Sequence, residues 1–374
     1  MHQPGTVNDT RDNLLGLSRP ALEAWFCEMG EKPFHGRQVM RWIHERGVAD
    51  FDAMTDISKS LRERLRSRAT IDVPPVLSDR TASDGTRKWL FDIGGGQAIE
   101  TVYIPEPKRG TLCISSQVGC ALDCSFCATG AQGFNRNLST AEIIAQVFHA
   151  VRTLHDPQAP RRAVTNVVFM GMGEPLANYR EVLPALSILQ DDFGYALSRR
   201  RVTVSTSGLV PQIDKLAGDA NVALAVSLHA PDDALRNELV PINNRHPIEP
   251  LLDACWRYAD ETGAQSITFE YTLLEGVNDS PGHATRLATL MLNRPAKVNL
   301  IPFNPFPGTR YRRSSDDTIR RFHDTLHKRG VRTMVRRTRG GDIDAACGQL
   351  AGQVADRTRV RLGSRQFALV QEAL

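Results

Sequence analysis

Gly110-Thr111-Leu112-Cys113-Ile114-Ser115-Ser116-Gln117-Val118-Gly119-Cys120-Ala121-Leu122-Asp123-Cys124-Ser125-Phe126-Cys127 begins as an apolar, β-branched run and ends on three cysteines spaced CxxxCxxC. The first part predicts a strand over Thr111 to Ser115, and the second a metal-binding loop beyond its carboxyl end. Four thiolates would close a metal site, whereas three leave one position open. Cysteine thiolates hold iron–sulfur clusters, and a four-iron cluster with three protein ligands keeps one iron free for a substrate or cofactor. The competing reading is structural zinc, whose closed tetrahedral site needs a fourth ligand from elsewhere in the chain.

Downstream, apolar β-branched runs alternate with helical stretches: Thr165 to Met170, Arg201 to Ser205, Val222 to Ser227, Ser266 to Leu273 and Lys297 to Ile301. Together with Thr111 to Ser115 these make six strand–helix units. That alternation predicts an α/β fold with a parallel sheet, as in a full or partial barrel. Active residues of such folds collect at the carboxyl ends of the strands. The cysteine triplet follows the first strand and Gly171-Met172-Gly173-Glu174-Pro175 the second. Ser205-Thr206-Ser207-Gly208 follows the third, Ser227-Leu228-His229 the fourth and Asn304-Pro305 the sixth. Singly, a Gly-Glu-Pro turn or a histidine beside a strand is ordinary structure; their shared location predicts one site.

Ahead of this region, residues 13 to 70 read as short helices, with Ser18-Arg19-Pro20 as a start signal. Val76 to Ile104 reads as strand, turned at Asp84-Gly85 and at Gly94-Gly95-Gly96. The hydrophobic content of 41% and charged content of 24% over 374 residues are those of a soluble globular chain. No run approaches the ~18 apolar residues of a membrane span, and Met1 to Pro20 lacks the apolar stretch of a signal peptide. Seven cysteines, three of them clustered, suit a reducing compartment, so the expected location is cytoplasmic. The net charge of +4 names no partner, but its distribution does. From Arg310 to Arg339 there are eleven Lys or Arg against three Asp, a segment suited to a polyanion. Arg62, Arg64, Arg66 and Arg68 form a second basic run, which is either a phosphate-facing helix or a solvated face.

The run from Gly110 to Cys120, its continuation to Gly130-Ala131-Gln132-Gly133-Phe134, the Gly171 to Pro175 turn and Ala345-Ala346-Cys347-Gly348-Gln349-Leu350 resemble the RlmN family from about residue 13 to 350. The resemblance implies a radical S-adenosylmethionine (SAM) enzyme that methylates adenine C2 in 23S rRNA, at the peptidyl transferase centre, and in tRNA, at an anticodon-loop adenosine. The fold it implies is a radical-SAM partial (β/α)6 barrel with an N-terminal helical RNA-binding domain and a short β-hairpin extension. Expected boundaries are 1–75 for the helical domain, 76–105 for the hairpin, 106–345 for the barrel, and 346–374 for a C-terminal segment opening on a cysteine loop. Cfr, a related family that methylates C8, shares the motifs. A radical enzyme acting on other substrates and a zinc-stabilised RNA-binding module are further alternatives.

By the same resemblance, Cys120, Cys124 and Cys127 hold one [4Fe–4S] cluster. Gly173, Glu174, Ser205, Ser227, Leu228, His229 and Asn304 hold SAM, two molecules being used per turnover. Carbon C2 lies between two ring nitrogens and is too electron-poor to attack a sulfonium methyl, which is why a radical route is needed. The resemblance makes Cys347 the methyl carrier, with its thiolate as the nucleophile. A 5′-deoxyadenosyl radical removes hydrogen from the S-methyl group, and the carbon radical adds to C2. Cys113 then attacks the Cys347 sulfur by disulfide exchange logic, and Glu100 accepts a proton. The glycine-rich, acidic surroundings of Cys347 suggest a flexible segment, whereas Cys27 and Cys255 sit in apolar helical patterns and read as packing. An electron donor such as flavodoxin, no membrane partner and a monomeric state complete the expectations.

Overall fold

The computed structural model describes residues 11–158 and 162–357. Its N-terminal region carries α1 (Arg19–Glu28), α2 (Phe34–Met40) and α3 (Lys59–Arg68). Proline in the first turn of α1 fits the expected start, although Ser18 makes no side-chain capping bond. Leu14, Leu15, Leu22, Phe26, Val39, Met40, Ile43 and Leu65 are buried and belong to the same apolar core as the rest of the molecule. Arg64 pairs with Glu31 and Arg66 with Asp52, while Arg62 donates to the Asp52 carbonyl. Most of the basic charge on α3 is therefore engaged within this region.

The centre of the molecule is a ten-stranded sheet: β1 (Val76–Thr81), β2 (Arg87–Asp92), β3 (Ala98–Glu106), β4 (Arg109–Cys113), β5 (Asn166–Phe169), β6 (Val202–Thr206), β7 (Ala223–Ser227), β8 (Ile267–Leu273), β9 (Ala296–Pro302) and β10 (Arg332–Val335). The strands lie side by side in chain order. From β1 to β4 they pair antiparallel, with the two expected turns between them, and from β4 to β10 they pair parallel. Helices α4 (Thr140–Thr153), α5 (Tyr179–Gln190), α6 (Val210–Asp219), α7 (Asp233–Leu239), α8 (Ile248–Thr262), α9 (Pro281–Met291) and α10 (Asp316–Lys328) make the crossovers that parallel pairing requires. All six expected strand–helix units are present. An additional parallel strand, β10, comes from the basic stretch.

Local chemistry accounts for the helix boundaries. Ser139 and Glu142 form a reciprocal capping box at α4, and Ser315 caps α10 by accepting from the Thr318 N–H. Gly263 ends α8 at φ 63°, in the left-handed region. The strands supply a core of side chains such as Val204, Val226, Phe269, Tyr271, Leu273 and Leu300, all fully buried. Among the described residues no helix is long and apolar enough to cross a membrane.

The segment after β10 departs from the expected flexibility. Ser83 N–H bonds Asp342 Oδ2 at 2.9 Å, and Gly340 N–H bonds Asp84 Oδ2 at 3.1 Å. Ala98 and Gln353 exchange backbone bonds of 2.8 and 2.9 Å. The β1–β3 extension thus forms a cradle for residues 340–355. Cys255 is buried as expected, whereas Cys27 is exposed, because its position on α1 faces away from the buried Leu22 and Phe26. Residues 358–374 of the expected C-terminal segment lie outside the described residues.

Candidate active site

Two cavities meet at the carboxyl ends of the parallel strands. The first is lined by Cys120, Cys124, Cys127, Gly173, Glu174, Ser205, Ser227, His229 and Cys347. Leu228 belongs to the same loop but is fully buried in the core. Asn304 lines the second cavity, where its Nδ2–H donates to the Cys347 carbonyl at 3.3 Å.

The cysteine loop is closed at its base by a short antiparallel pairing of Gln117–Gly119 with Phe134–Asn137. Cys120 N–H bonds the Gly133 carbonyl at 2.7 Å. Gly119, at φ 78°, has no room for a side chain, since a Cβ there would lie 2.0 Å from Gly133 O. Burial raises the Cys120 and Cys124 thiols, and the neighbouring cysteines raise them further. Among the described residues no three His, Cys, Asp or Glu side chains converge on one ion position. The first cavity carries the three loop thiols with Cys347 as a fourth thiol on its lining, and the triplet from one loop is the donor set of an open-cornered cluster.

Opposite the thiols stands Glu174, almost fully buried. One oxygen accepts from Ser207 N–H at 2.8 Å and the other from Leu176 N–H at 3.1 Å. Burial nevertheless pushes its pKa up to about 7. A ligand ammonium group would restore the carboxylate. Gly173 before it sits at φ 95°, and a Cβ there would meet Gln117 Cβ at 2.4 Å. His229 is also left-handed, at φ 59°. Its Nδ1 accepts from Thr272 N–H at 2.9 Å, which assigns the proton to Nε2. Burial lowers its pKa to about 3, leaving a neutral donor packed edge-on against Phe126.

Cys347, Glu270, Met170 and Ile301 line both cavities, while Cys113 and Arg336 line only the second. Burial raises both thiols; for Cys113 the charge of Cys347 adds to the rise, and for Cys347 the Arg336 cation opposes it. Arg336 also lies 3.8 Å from Glu270 Oε1. Glu100 lines neither cavity. Its Oε1 is 2.8 Å from Lys88 Nζ, and its Oε2 accepts from Ala351 N–H at 2.9 Å. Lys88 also donates to the Asp344 carbonyl at 3.1 Å, so this buried pair grips the Cys347 segment on both sides. Further bonds run from Ala128 N–H to Gly348 O and from Thr129 Oγ1 to Leu350 O, holding Cys347 against the cysteine loop. All seven cysteines are free thiols.

Sequence reasoning did not single out Lys88, Arg236, Glu270 or Arg336 as individual site residues. Glu270 was detectable as the one charged residue within the Ile267–Leu273 strand. Arg336 was one of many residues in a basic run.

Family models match the chain at residues 12–71, as the ribosomal RNA large subunit methyltransferase N-terminal domain, and at residues 114–288, as the radical SAM superfamily. The chain is 55% identical over 369 residues to a dual-specificity RNA methyltransferase RlmN of Pseudomonas fluorescens (strain SBW25), covering 98% of this chain and 96% of that one. It is 57% identical over 349 residues to the protein so named in Francisella tularensis subsp. novicida (strain U112), covering 92% and 94%. Among solved structures, a radical SAM methyltransferase from Sphaerobacter thermophilus matches with a TM-score of 0.85 at 46% identity, covering 91% of this chain and 99% of that one.

Proposed function

Because the chain belongs to the RlmN family of radical SAM RNA methyltransferases, we propose that it methylates adenine C2 in 23S rRNA and tRNA through a cysteine-bound methyl group. The observation that carries this reading is the position of Cys347 at the junction of two cavities, one with the cluster thiols and one with Cys113. A carrier must face its methyl donor and its acceptor in turn, and a thiol shared by two chambers can do so.

When bound, the cluster supplies the electron that cleaves SAM, which provides both the methyl group and the hydrogen-abstracting fragment. Cys120, Cys124 and Cys127 would hold that cluster. Glu174 would take the ammonium group of SAM, with Gly173, Ser205, Ser227 and neutral His229 arranged around it. Leu228 would contribute through its backbone, since its side chain is in the core. Asn304 supports Cys347 through the carbonyl bond. Arg336 favours the Cys347 thiolate, the form that accepts a methyl. Cys113 would attack the Cys347 sulfur, breaking its bond to the carbon now attached to the RNA; the disulfide closes as that electron pair passes to the base, which takes up a proton to complete the methyl group. Glu100 is the proposed proton acceptor: each of its oxygens already takes one bond and retains a lone pair for another.

The second cavity would receive the unstacked adenosine. Side chains of alternating residues on β9, namely Lys297, Asn299 and Ile301, line it from the amino end upward. Lys297 and Arg200 line it without an ion pair among the described residues, and burial together with Arg332 and Arg109 lowers the Lys297 pKa. Like charges held together in this way favour an anion, here the RNA phosphates. Replacing Lys297 and Arg200 together with glutamine should weaken RNA binding and reduce the salt slope of the binding constant by about 2. An unchanged slope in a filter-binding salt series would place the RNA elsewhere.

Mass spectrometry of nucleosides from RNA incubated with the reduced enzyme and SAM tests the whole reading. We expect 2-methyladenosine. Formation of 8-methyladenosine would move the protein to the Cfr activity, and unmodified RNA with an intact cluster would favour another substrate. A flavodoxin-type donor, a monomeric state and a cytoplasmic location are part of the same proposal; the free cysteines support a reducing setting.

A further inference from the structure

Arg236, on α7, is fully buried behind the cysteine loop. Its Nε–H donates to Leu228 O at 3.1 Å, and Nη2 donates to Ser207 O at 2.7 Å and Ser227 O at 3.1 Å. Nη1 donates to Asn243 Oδ1 at 2.7 Å. All four acceptors are neutral. No carboxylate lies at ion-pair distance among the described residues. The nearby Asp233 instead accepts from Asn243 Nδ2 and Ile248 N–H, both at 2.9 Å.

Burying a charge without a counter-ion is unfavourable. Tying three loop carbonyls together requires donors, but it does not require a full positive charge. Burial lowers Arg236 to about 10, so the cation persists at neutral pH, and the strongest influence in its favour is the charge of Cys124. The geometry agrees. The Ser207 side chain favours the Cys124 thiolate while the Ser207 carbonyl accepts from Arg236. Ser125 N–H bonds Leu239 O at 3.2 Å, joining the cysteine loop to the end of the helix that carries Arg236.

We infer that Arg236 is the counter-ion of the cluster held by Cys120, Cys124 and Cys127, and that its charge raises the reduction potential of that cluster. The inference rests on the proposed cluster ligands. A four-iron cluster with three thiolates is anionic, and one-electron reduction adds negative charge. A fixed cation in a poorly screened interior stabilises the reduced state more than the oxidised one. The bonds to Ser207, Ser227 and Leu228 hold the cation in place and connect it to loops that line the cofactor cavity.

The test is an EPR-monitored redox titration of the full chain, reconstituted with iron and sulfide and free of SAM and RNA. Arg236→Gln, which retains a donor and removes the charge, should lower the reduction equilibrium constant at least tenfold, a 59 mV negative shift for one electron. Arg236→Lys should stay near wild type. Asp233→Asn removes an acid that offsets the cation, so its potential should move the opposite way, by less. Opposite signs from the two neutralisations would support a charge effect, because mere loosening of the loop gives no reason for them. Iron-replete Arg236→Gln with an unmoved potential, or both variants shifting in the same direction, would overturn the inference. If Arg236→Gln fails to hold iron, absence of the upward shift in Asp233→Asn overturns it. Iron-free wild-type protein would overturn the ligand assignment, and the inference with it.

Discussion

Replacing Cys113 with alanine is expected to trap the enzyme on its RNA. The second cavity places Cys113 in the chamber shared with Cys347, and the two thiols are close enough for the charge of one to raise the pKa of the other. Without Cys113 there is no thiol to attack the Cys347 sulfur, since the other free cysteines are the three proposed cluster ligands and Cys27 and Cys255 outside both cavities. Methyl transfer to Cys347 and attachment to RNA should still occur, leaving a covalent complex that survives denaturing electrophoresis and a product yield no greater than the enzyme present. Cys347→Ala should give neither complex nor product. The substitution at residue 113 removes one sulfur from a packed position and should cost about 1 kcal/mol of stability. If Cys113→Ala retained iron and melted normally yet turned over freely, the release step would be wrong.

Glu174→Gln should weaken SAM binding between tenfold and a hundredfold at pH 8, about 1.5–3 kcal/mol for a charged hydrogen bond. The pH dependence follows from burial. The folded pKa is near 7, above the ordinary 4.5, so the native state holds the Glu174 proton more tightly than the unfolded chain does. Stability from this group is complete below pH 4.5 and is lost as pH rises through 7, a change of about 3 kcal/mol. The ligand-free protein should therefore lose stability to urea between pH 5 and pH 8, and Glu174→Gln should flatten that dependence. SAM affinity should run the other way, rising over pH 6 to 8 as the carboxylate forms to meet the ammonium. Calorimetric titration at the two pH values checks it; equal affinity would remove Glu174 from the amino-group contact.

Most of the barrel was legible because each strand announces itself locally. Val202–Thr206 is a compact β-branched run and Ala223–Ser227 a compact, mostly apolar one, and the loops that follow them carry Ser207 and His229. β10 was hidden because Arg332–Val335 is short, largely exposed and embedded among arginines, so its apolar signal is weak. Its place in the sheet comes from pairing with β9, a contact between segments about 35 residues apart. The Gly340-Gly341 stretch before Cys347 suggested mobility because glycine relaxes the backbone. Order there comes from Asp84, Lys88 and Glu100, more than 240 residues earlier. Arg236 gave no warning either: in Asp233–Leu239 it looks like an ordinary helix-surface arginine, and burial is fixed by the loops that close over it.

The chain by itself determined the alternation of strands and helices, the open cysteine triplet and the family, because contiguous residues carry those patterns. Tertiary structure decided which charges face which thiols. It placed Cys347 between two chambers, put Arg336 beside it, and buried Arg236 with no carboxylate at ion-pair distance among the described residues. The physical reason is that hydrophobic periodicity and motif spacing act along the chain, whereas burial and electrostatic pairing depend on distances that exist only after distant segments have packed.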